Sequence, residues 1–332
     1  MKPVPFFGPY FDRGCPAPGA ESTPRGYRDV PSATYHAHAA LNASLLKEPS
    51  PCHMLANMME DERDHYASPS AAECFTIGIL AHWAVLEPDK IRNIREHVIE
   101  CETAGLATKK AADQRAENPG KLLVTGEHLL KAVDLMRAVA MQSEAAELLS
   151  RPGVNERSGF IFADGVWRKW RPDRLLLDGT RIIDVKTTRL ESLVGKRGVS
   201  QWEGECWKYG YWLQAAWYLH HHELATGVRP NAFTFIVVST AAPFHARCFS
   251  MTNFRPDHPM YEGCALQRAR QAIGLDPGEG PDKLTIFRDC AQQTEAARTR
   301  GQTLSPELLR AMWPAEEHET SGPEIGLSKA AF

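Results

Sequence analysis

Three acidic residues and a lysine between positions 156 and 186 have types and spacings that suit metal-assisted chemistry: Glu156, Asp173, Asp184 and Lys186. The Asp178-Gly179 dipeptide reads as a two-residue type I′ hairpin turn. Counting back from it, Leu177 faces Thr180, Leu175 faces Ile182 and Asp173 faces Asp184. Side chains alternate along a strand, so Asp173, Leu175, Leu177, Thr180, Ile182, Asp184 and Lys186 share one face. A second turn, Asp164-Gly165, sets Ala163 against Val166 and Phe162 against Trp167, and the ladder runs back until Glu156 faces Asp173. Opposed carboxylates repel, and burial sharpens the repulsion unless a proton or a cation neutralises it. Hard oxygen ligands of this kind suit Mg²⁺ or Mn²⁺. A lysine beside such an ion can position or deprotonate a water and stabilise charge on a phosphoryl group.

A solvated hairpin whose acids face water fits the same parity, since antiparallel sheets often wet one face. Leu175, Leu177 and Ile182 on the acidic face weigh against it. Pro172 cannot donate to the ladder, so a bulge or edge there would shift the Glu156 pairing and leave that of Asp173 with Asp184 standing.

The flanking segments must hold these groups in place. Residues 71–86 (AAECFTIGILAHWAVL) are apolar nearly all round, which marks a buried helix carrying His82. A lone buried histidine is more often a satisfied core residue than a ligand. Residues 125–149 repeat apolar residues at spacings of three and four and read as a second helix, ended at Pro152-Gly153. Ser200-x-x-Glu203 resembles a capping box that opens a long helix to about residue 225, closed by Gly227. Gln214 and Tyr218 share a face of that helix. Packing accounts for Trp207, Tyr211 and Trp217, whereas glutamine is a poor core residue, so Gln214 is read as reaching a phosphate, a base or a metal-bound water. His220, His221 and His222 diverge around the helix and read as its solvated end. Residues 233–240 (FTFIVVST) form a buried strand that residues 244–251 can pair with. Short helices broken at Pro49 and Pro51, a helix near 258–274 and further helices before Trp313-Pro314 complete the reading, while residues 89–124 show no clear period.

A net charge of −3 over 332 residues excludes a protein that holds nucleic acid by bulk charge, so DNA contact needs a local basic surface. Residues 167–210 supply basic side chains beside the acids, although a solvent-facing charge run would look the same. Lys196 and Arg197, in a Gly-bounded loop, are the best candidates for phosphate contacts, with Arg171 and Arg189 nearer the acids and Trp202 placed to wedge against or stack on a base. None of the 8 cysteines lies in a C-x-x-C pair, which argues against a zinc ribbon or a local iron–sulfur site. The N-terminus lacks the apolar region of a signal peptide, and no run reads as long enough to span a bilayer, so a cytoplasmic protein with no membrane partner is expected. Residues 1–34 read as an extended arm, 35–313 as one domain with its core at about 70–251, and 314–332 as an acidic tail.

Arg171-Pro172-Asp173 followed by Ile182-Ile183-Asp184-Val185-Lys186-Thr187-Thr188 resembles the PD-(D/E)XK nuclease signature, in detail that of the exonuclease VIII (RecE) type of phages and prophages. Gly78-Ile79-Leu80-Ala81-His82, then Leu86-Glu87-Pro88, is similar to that family's histidine helix, and Glu156 with Ser158 to its E-x-S stretch. Tyr209-Gly210-Tyr211-x-x-Gln214-Ala215-Ala216-x-Tyr218 resembles its Q-x-x-x-Y helix, and Val237-Val238-Ser239-Thr240 the strand that follows. The resemblance spans roughly residues 40–251. It implies an α/β fold with a restriction-endonuclease-like αβββαβ core and additional N- and C-terminal helices. It also implies a ring-like homo-oligomer that digests duplex DNA ends from 5′ to 3′, leaves 5′-phosphates and works with a single-strand annealing protein in recombination. By the same resemblance, Asp173 and Asp184 hold Mg²⁺ (with Mn²⁺ able to substitute), the Val185 carbonyl is a further ligand and Lys186 handles the attacking water. Glu156 and His82 complete or tune the metal shell, and Gln214 and Tyr218 join the catalytic set. The rival readings are an endonuclease or another DNA-processing enzyme on the same core, and a catalytically silent nuclease-fold module that binds DNA or assembles with partners.

Overall fold

Every residue of the strand Ala232–Ser239 is buried, as a near-continuous apolar run between two helical layers must be. The strand belongs to a computed structural model that describes residues 27–37, 40–47, 68–103, 105–163, 166–278, 283–285 and 287. The strands among those residues are β1 (Tyr27–Arg28), β2 (Val98–Glu100), β3 (Leu122–Val124), β4 (Gly153–Asn155), β5 (Ser158–Ala163), β6 (Val166–Trp170), β7 (Arg174–Leu176), β8 (Arg181–Thr188), β9 (Ala232–Ser239) and β10 (Ala246–Thr252). The helices that position the site are α1 (Ser32–Ala37), α2 (Pro69–Leu86), α3 (Gly126–Met141), α4 (Ser143–Ser150), α5 (Gly195–Lys208), α6 (Tyr211–Thr226) and α7 (Ala265–Ala272).

The main sheet runs β10-β9-β8-β7-β4. The β8–β9 pair is parallel, joined by α5 and α6, and the other pairs are antiparallel. In chain order α2, then β4, β7 and β8, then α5 and α6, then β9 give the expected αβββαβ core. The period of two sends Leu175, Ile182, Phe233, Phe235 and Val237 to one face, where Trp202, Ala215, Leu219 and Leu266 of α5, α6 and α7 cover them. Leu176, Ile183, Val185, Ile236 and Val238 go to the other, against Ile77, Leu135 and Leu148 of α2, α3 and α4. A separate sheet, β1-β5-β6, lies beside α6. The stretch 89–124 without a clear period contains the parallel pair β2–β3.

Several local expectations are corrected. Asp178 is not left-handed; Gly179 alone takes φ +69°, its N–H closes on the Leu176 carbonyl, and the turn is not type I′. The register is nonetheless the expected one, with Leu175 opposite Ile182. The helix expected over 125–149 breaks at Gln142, which caps α4 through a side-chain oxygen 2.6 Å from the Ala145 N–H. The helix expected from 200 to 225 is two, divided where Gly210 takes φ +65°, and it starts at Gly195, so Lys196 and Arg197 lie in a first helical turn rather than a loop. The helix near 258–274 narrows to Ala265–Ala272. Helix α2 is, by length and composition, apolar enough to cross a bilayer, contrary to the sequence reading; here it packs on α3 and β8 as a core helix. The Asp164-Gly165 turn, the acidic tail and the helices before Trp313 lie outside the described residues, as does most of the N-terminal arm.

His221 and His222 are buried rather than solvated, with 0% and 2% exposure. The Trp170 indole donates to the Tyr27 hydroxyl (2.7 Å), which pairs with His222 Nδ1 (2.9 Å), so an N-terminal strand and a histidine helix interlock. Burial lowers the His222 pKa to about 4 and that of His221 well below its ordinary value. A depressed histidine takes up its proton first in the unfolded chain, so stability is intact above about pH 6.5 and falls as pH drops through about 4. For His222 alone the loss is about 3 kcal/mol at pH 4. Thermal melts at pH 7 and pH 4 should therefore differ less in His222→Gln than in the wild type.

Gly159 faces Trp170 across β5 and β6, and a Cβ at Gly159 would lie 2.1 Å from the indole ring. Gly159→Val is expected to destabilise the fold by about 1–3 kcal/mol through overpacking, read as a lower urea midpoint at unchanged m-value.

Candidate active site

The acids meet where the two sheets part. Val154 pairs with Leu175 and Asn155 with Arg174, and the Glu156 N–H donates to the Asp173 carbonyl at 3.0 Å, so Glu156 opposes Asp173 as the register requires. Past Pro172 the chain leaves the main sheet, and β5 and β6 resume pairing from Gly159 with Trp170. Glu156 itself takes φ +54°, a left-handed conformation that costs a side-chain-bearing residue about 1–2 kcal/mol. Its side chain is held on both sides. Arg171 Nε donates to Oε2 at 2.7 Å, and His82 Nδ1 lies 3.5 Å from Oε1.

His82 reaches this point because α2 is fixed at both ends. Ser68 caps its first turn, with Pro69 at the first helical position, and the Leu86 carbonyl at its end accepts from Asn155 Nδ2 at 2.8 Å. That last bond ties the helix to the residue next to Glu156. The other imidazole nitrogen, Nε2, is 3.4 Å from Asp173 Oδ2. His82, Glu156 and Asp173 thus offer one ligand atom each, all within 4.8 Å of one another.

Asp173 and Asp184 are both buried, at 7% and 1% exposure, and lie on the face that Leu175 and Ile182 share. Asp173 Oδ2 accepts the Val185 N–H at 2.6 Å. A strand residue turns its N–H and C=O to the same edge, so the Val185 carbonyl also faces the acids. One oxygen of Asp184 is ion-paired with Lys186, and the other accepts from Gln214 Nε2 at 2.7 Å. Burial and then the charge of Asp184 raise the Asp173 pKa to about 7. Burial would depress the His82 imidazolium, but Asp173, Glu156 and Asp184 outweigh it and bring its pKa to about 9. Burial would raise Glu156, yet the bonds from His82 and Arg171 hold it below its usual range. Lys186 is pushed up because Asp184 and Asp173 overcome its burial.

A divalent cation fits these residues. Two carboxylates and an imidazole converge, a backbone carbonyl faces them, and Asp173 is buried beside a second carboxylate, Asp184. An imidazole in the set favours Mn²⁺ more than an all-oxygen set would.

The remaining candidates divide. Gln214, read as reaching a phosphate, a base or a metal-bound water, donates instead to the Asp184 carboxylate and reaches the acids through it. Tyr218 is buried with its hydroxyl at the Arg171 backbone, and burial raises its pKa well above the usual tyrosine range. Arg171 turns inward to Glu156, to Ser158 Oγ (2.7 Å) and to the Val30 carbonyl (2.9 Å), so its guanidinium organises the site rather than facing solvent. Trp202 is wholly buried among Tyr211, Phe235 and Phe249, which corrects its placement as a base contact: with Cys206 four residues on, it forms the core-facing stripe of α5. Lys196, Arg197 and Arg189 are exposed, Arg189 donating to Cys74 Sγ at 3.6 Å. Two groups escaped the sequence reading. Tyr35 of α1 lays its ring 5.6 Å from the Arg171 guanidinium, and Glu205 accepts from Thr188 Oγ1 at 2.8 Å, two residues beyond Lys186. Neither has a local motif; both arrive through long-range packing.

Among solved structures, the chain resembles one described as "Putative exonuclease" from Eubacterium rectale, with 12% identity over 83% of this chain and 88% of that one and a TM-score of 0.46. It also resembles the structure of SSO0001, with 12% identity over 69% of this chain and 95% of that one and a TM-score of 0.24. No curated protein matches the sequence. Residues 42–270 match the PDDEXK-like domain of unknown function (DUF3799), and with more than half of its length inside that match, the chain belongs to this PDDEXK-like family.

Proposed function

We propose that this chain is a metal-dependent exonuclease that hydrolyses phosphodiester bonds from the ends of duplex DNA, 5′ to 3′, with Mg²⁺ as its cofactor and Mn²⁺ able to replace it. The observation that carries the reading is the meeting of His82, Glu156 and Asp173, with Asp184 and Lys186 beside them on the same sheet face. The PDDEXK-like nuclease fold supports it. Duplex ends as substrate, polarity, a ring-like oligomer and a single-strand annealing partner rest on the motif resemblance. When bound, the cation would polarise the phosphoryl oxygen and lower the pKa of an attacking water.

The chain's own residues have separable tasks. Asp173, Glu156 and His82 would hold the cation, with Asp184 and the Val185 carbonyl as further ligands beside them. Lys186 carries its charge on the same face as Asp184 and is placed to orient the water and offset charge on the phosphate. Gln214 fixes the Asp184 carboxylate, and Arg171, held at its backbone by Tyr218, fixes that of Glu156. Lys196 and Arg197 occupy the first turn of α5, where a cation opposes the helix dipole by about 0.3–1 kcal/mol. We assign them, with Arg189, to DNA phosphates.

End-labelled linear duplex and nick-free circular duplex, each incubated with Mg²⁺ or Mn²⁺ and with chelator, test this reading. Linear DNA should be lost from its 5′ ends while the circle survives, and chelator should stop the reaction. Linearisation of the circle would make the protein an endonuclease. Full activity in chelator, or none with any divalent metal, would refute the metal-dependent nuclease.

A further inference from the structure

A row of three aromatic rings begins in the core and ends in solvent. Trp202, fully buried, stacks on Tyr211 with 5.6 Å between centroids and 28° between planes. Tyr211 meets Tyr209 at 5.7 Å and 37°, and Tyr209 is 43% exposed. Lysines accompany the outer two rings. Lys186 Nζ lies 5.0 Å from the Tyr211 centroid and Lys47 Nζ 5.4 Å from the same ring, while Lys208 Nζ lies 5.0 Å from that of Tyr209. The candidate active-site lysine therefore touches the middle ring, and the exposed ring is the next one out.

The break between α5 and α6 creates this row. Gly210, left-handed at φ +65°, separates the two tyrosines and ends the first helix. The Lys47 stem crosses so close to it that a Cβ at Gly210 would lie 2.8 Å from Lys47 Cγ. Tyr209 thus keeps 43% of its surface exposed, one ring away from the candidate active-site lysine. Lys208 lies over its ring on a flexible stem that a base can displace, and an aromatic face with an ammonium beside it is the chemistry that receives a nucleobase and its phosphate.

We propose that Tyr209 is a stacking platform for an unpaired base of the DNA strand whose phosphodiester lies at Lys186. This rests on the nuclease reading above. A base inside a duplex has both faces covered, so the platform takes a frayed or single-stranded nucleotide. It shows no sequence preference, since every base offers a π face. Lys47 and Lys208 supply positive charge for the neighbouring phosphates.

The test uses the full chain in chelator, so that nothing is cut, with single-stranded oligonucleotides carrying 2-aminopurine at successive positions. Wild type should quench one position near the bound end, as should Tyr209→Phe and Tyr209→Trp. Tyr209→Ala should lose that quenching and bind about 5- to 150-fold more weakly, the range to which 1–3 kcal/mol per stacked base converts. An abasic nucleotide at the responsive position should erase the difference between wild type and Tyr209→Ala. Unchanged affinity and quenching in Tyr209→Ala, with DNA still bound and cut by the wild type, would overturn this inference alone. Failure of the wild type to bind any DNA would overturn it together with the nuclease reading.

Discussion

Asp173→Asn is expected to lower metal-dependent DNA cleavage by about a thousandfold or more, a loss of several kcal/mol of transition-state stabilisation, while the protein stays folded. Asparagine is the informative replacement. The Asp173 carboxylate accepts the buried Val185 N–H at 2.6 Å, a bond that an amide oxygen keeps and alanine loses. Asp173→Ala strands that N–H at a cost of about 1–3 kcal/mol, so a dead alanine variant would mix catalysis with folding. Charge gives a second, activity-independent readout. The cluster around Asp173 favours a cation, so Mn²⁺ should raise the wild-type melting temperature, by linkage worth about 2.7 kcal/mol at a hundred times Kd. In Asp173→Asn that rise should largely vanish. A variant that cuts within tenfold of wild type, or that keeps the full Mn²⁺ shift, would remove Asp173 from the metal site.

What the sequence made legible was whatever follows from a period of two. The register that opposes Leu175 to Ile182 and Glu156 to Asp173 is present, although one turn has another geometry and the ladder breaks at Pro172. The changed turn keeps the same number of residues between Leu175 and Ile182, so side-chain parity survives and the acids still share a face. The split of one expected helix at Gly210 was not legible because Tyr-Gly-Tyr sits inside a helical pattern, and only the left-handed φ reveals it. Trp202 was misplaced because an aromatic residue near basic ones looks the same whether it faces DNA or the core; the spacing to Cys206 was the available clue. His221 and His222 read as solvated because the residues that cover them, Tyr27 and Arg168, lie far away in sequence. Arg171 presents the same problem at the site: a guanidinium two residues from an acid can face either solvent or a carboxylate, and here Glu156 decides it.

Lys186→Met should separate two consequences of one side chain. Asp184 is 1% exposed and keeps only the Gln214 bond once the ammonium is gone, so the metal-free variant should lose stability, on the order of 3 kcal/mol for a buried pair broken from one side. A cation beside Asp184 supplies the missing charge, and Mn²⁺ should therefore recover more melting temperature in Lys186→Met than it adds to wild type. Recovery of the fold should not bring back the rate. A donor lost from the transition state costs about 10²–10³ in kcat, with KM little changed, because the interaction strengthens only as phosphate charge develops. Lys186→Arg refines the argument. Its charge can still pair with Asp184, so stability should return in part, but a planar guanidinium does not replace a compact ammonium in the space bounded by the Tyr211 ring, 5.0 Å from Nζ. Slow but stable Lys186→Arg and slow, metal-rescued Lys186→Met would together assign the lysine to chemistry. Wild-type kcat in Lys186→Met with Mn²⁺ would reduce Lys186 to a structural counter-ion of Asp184.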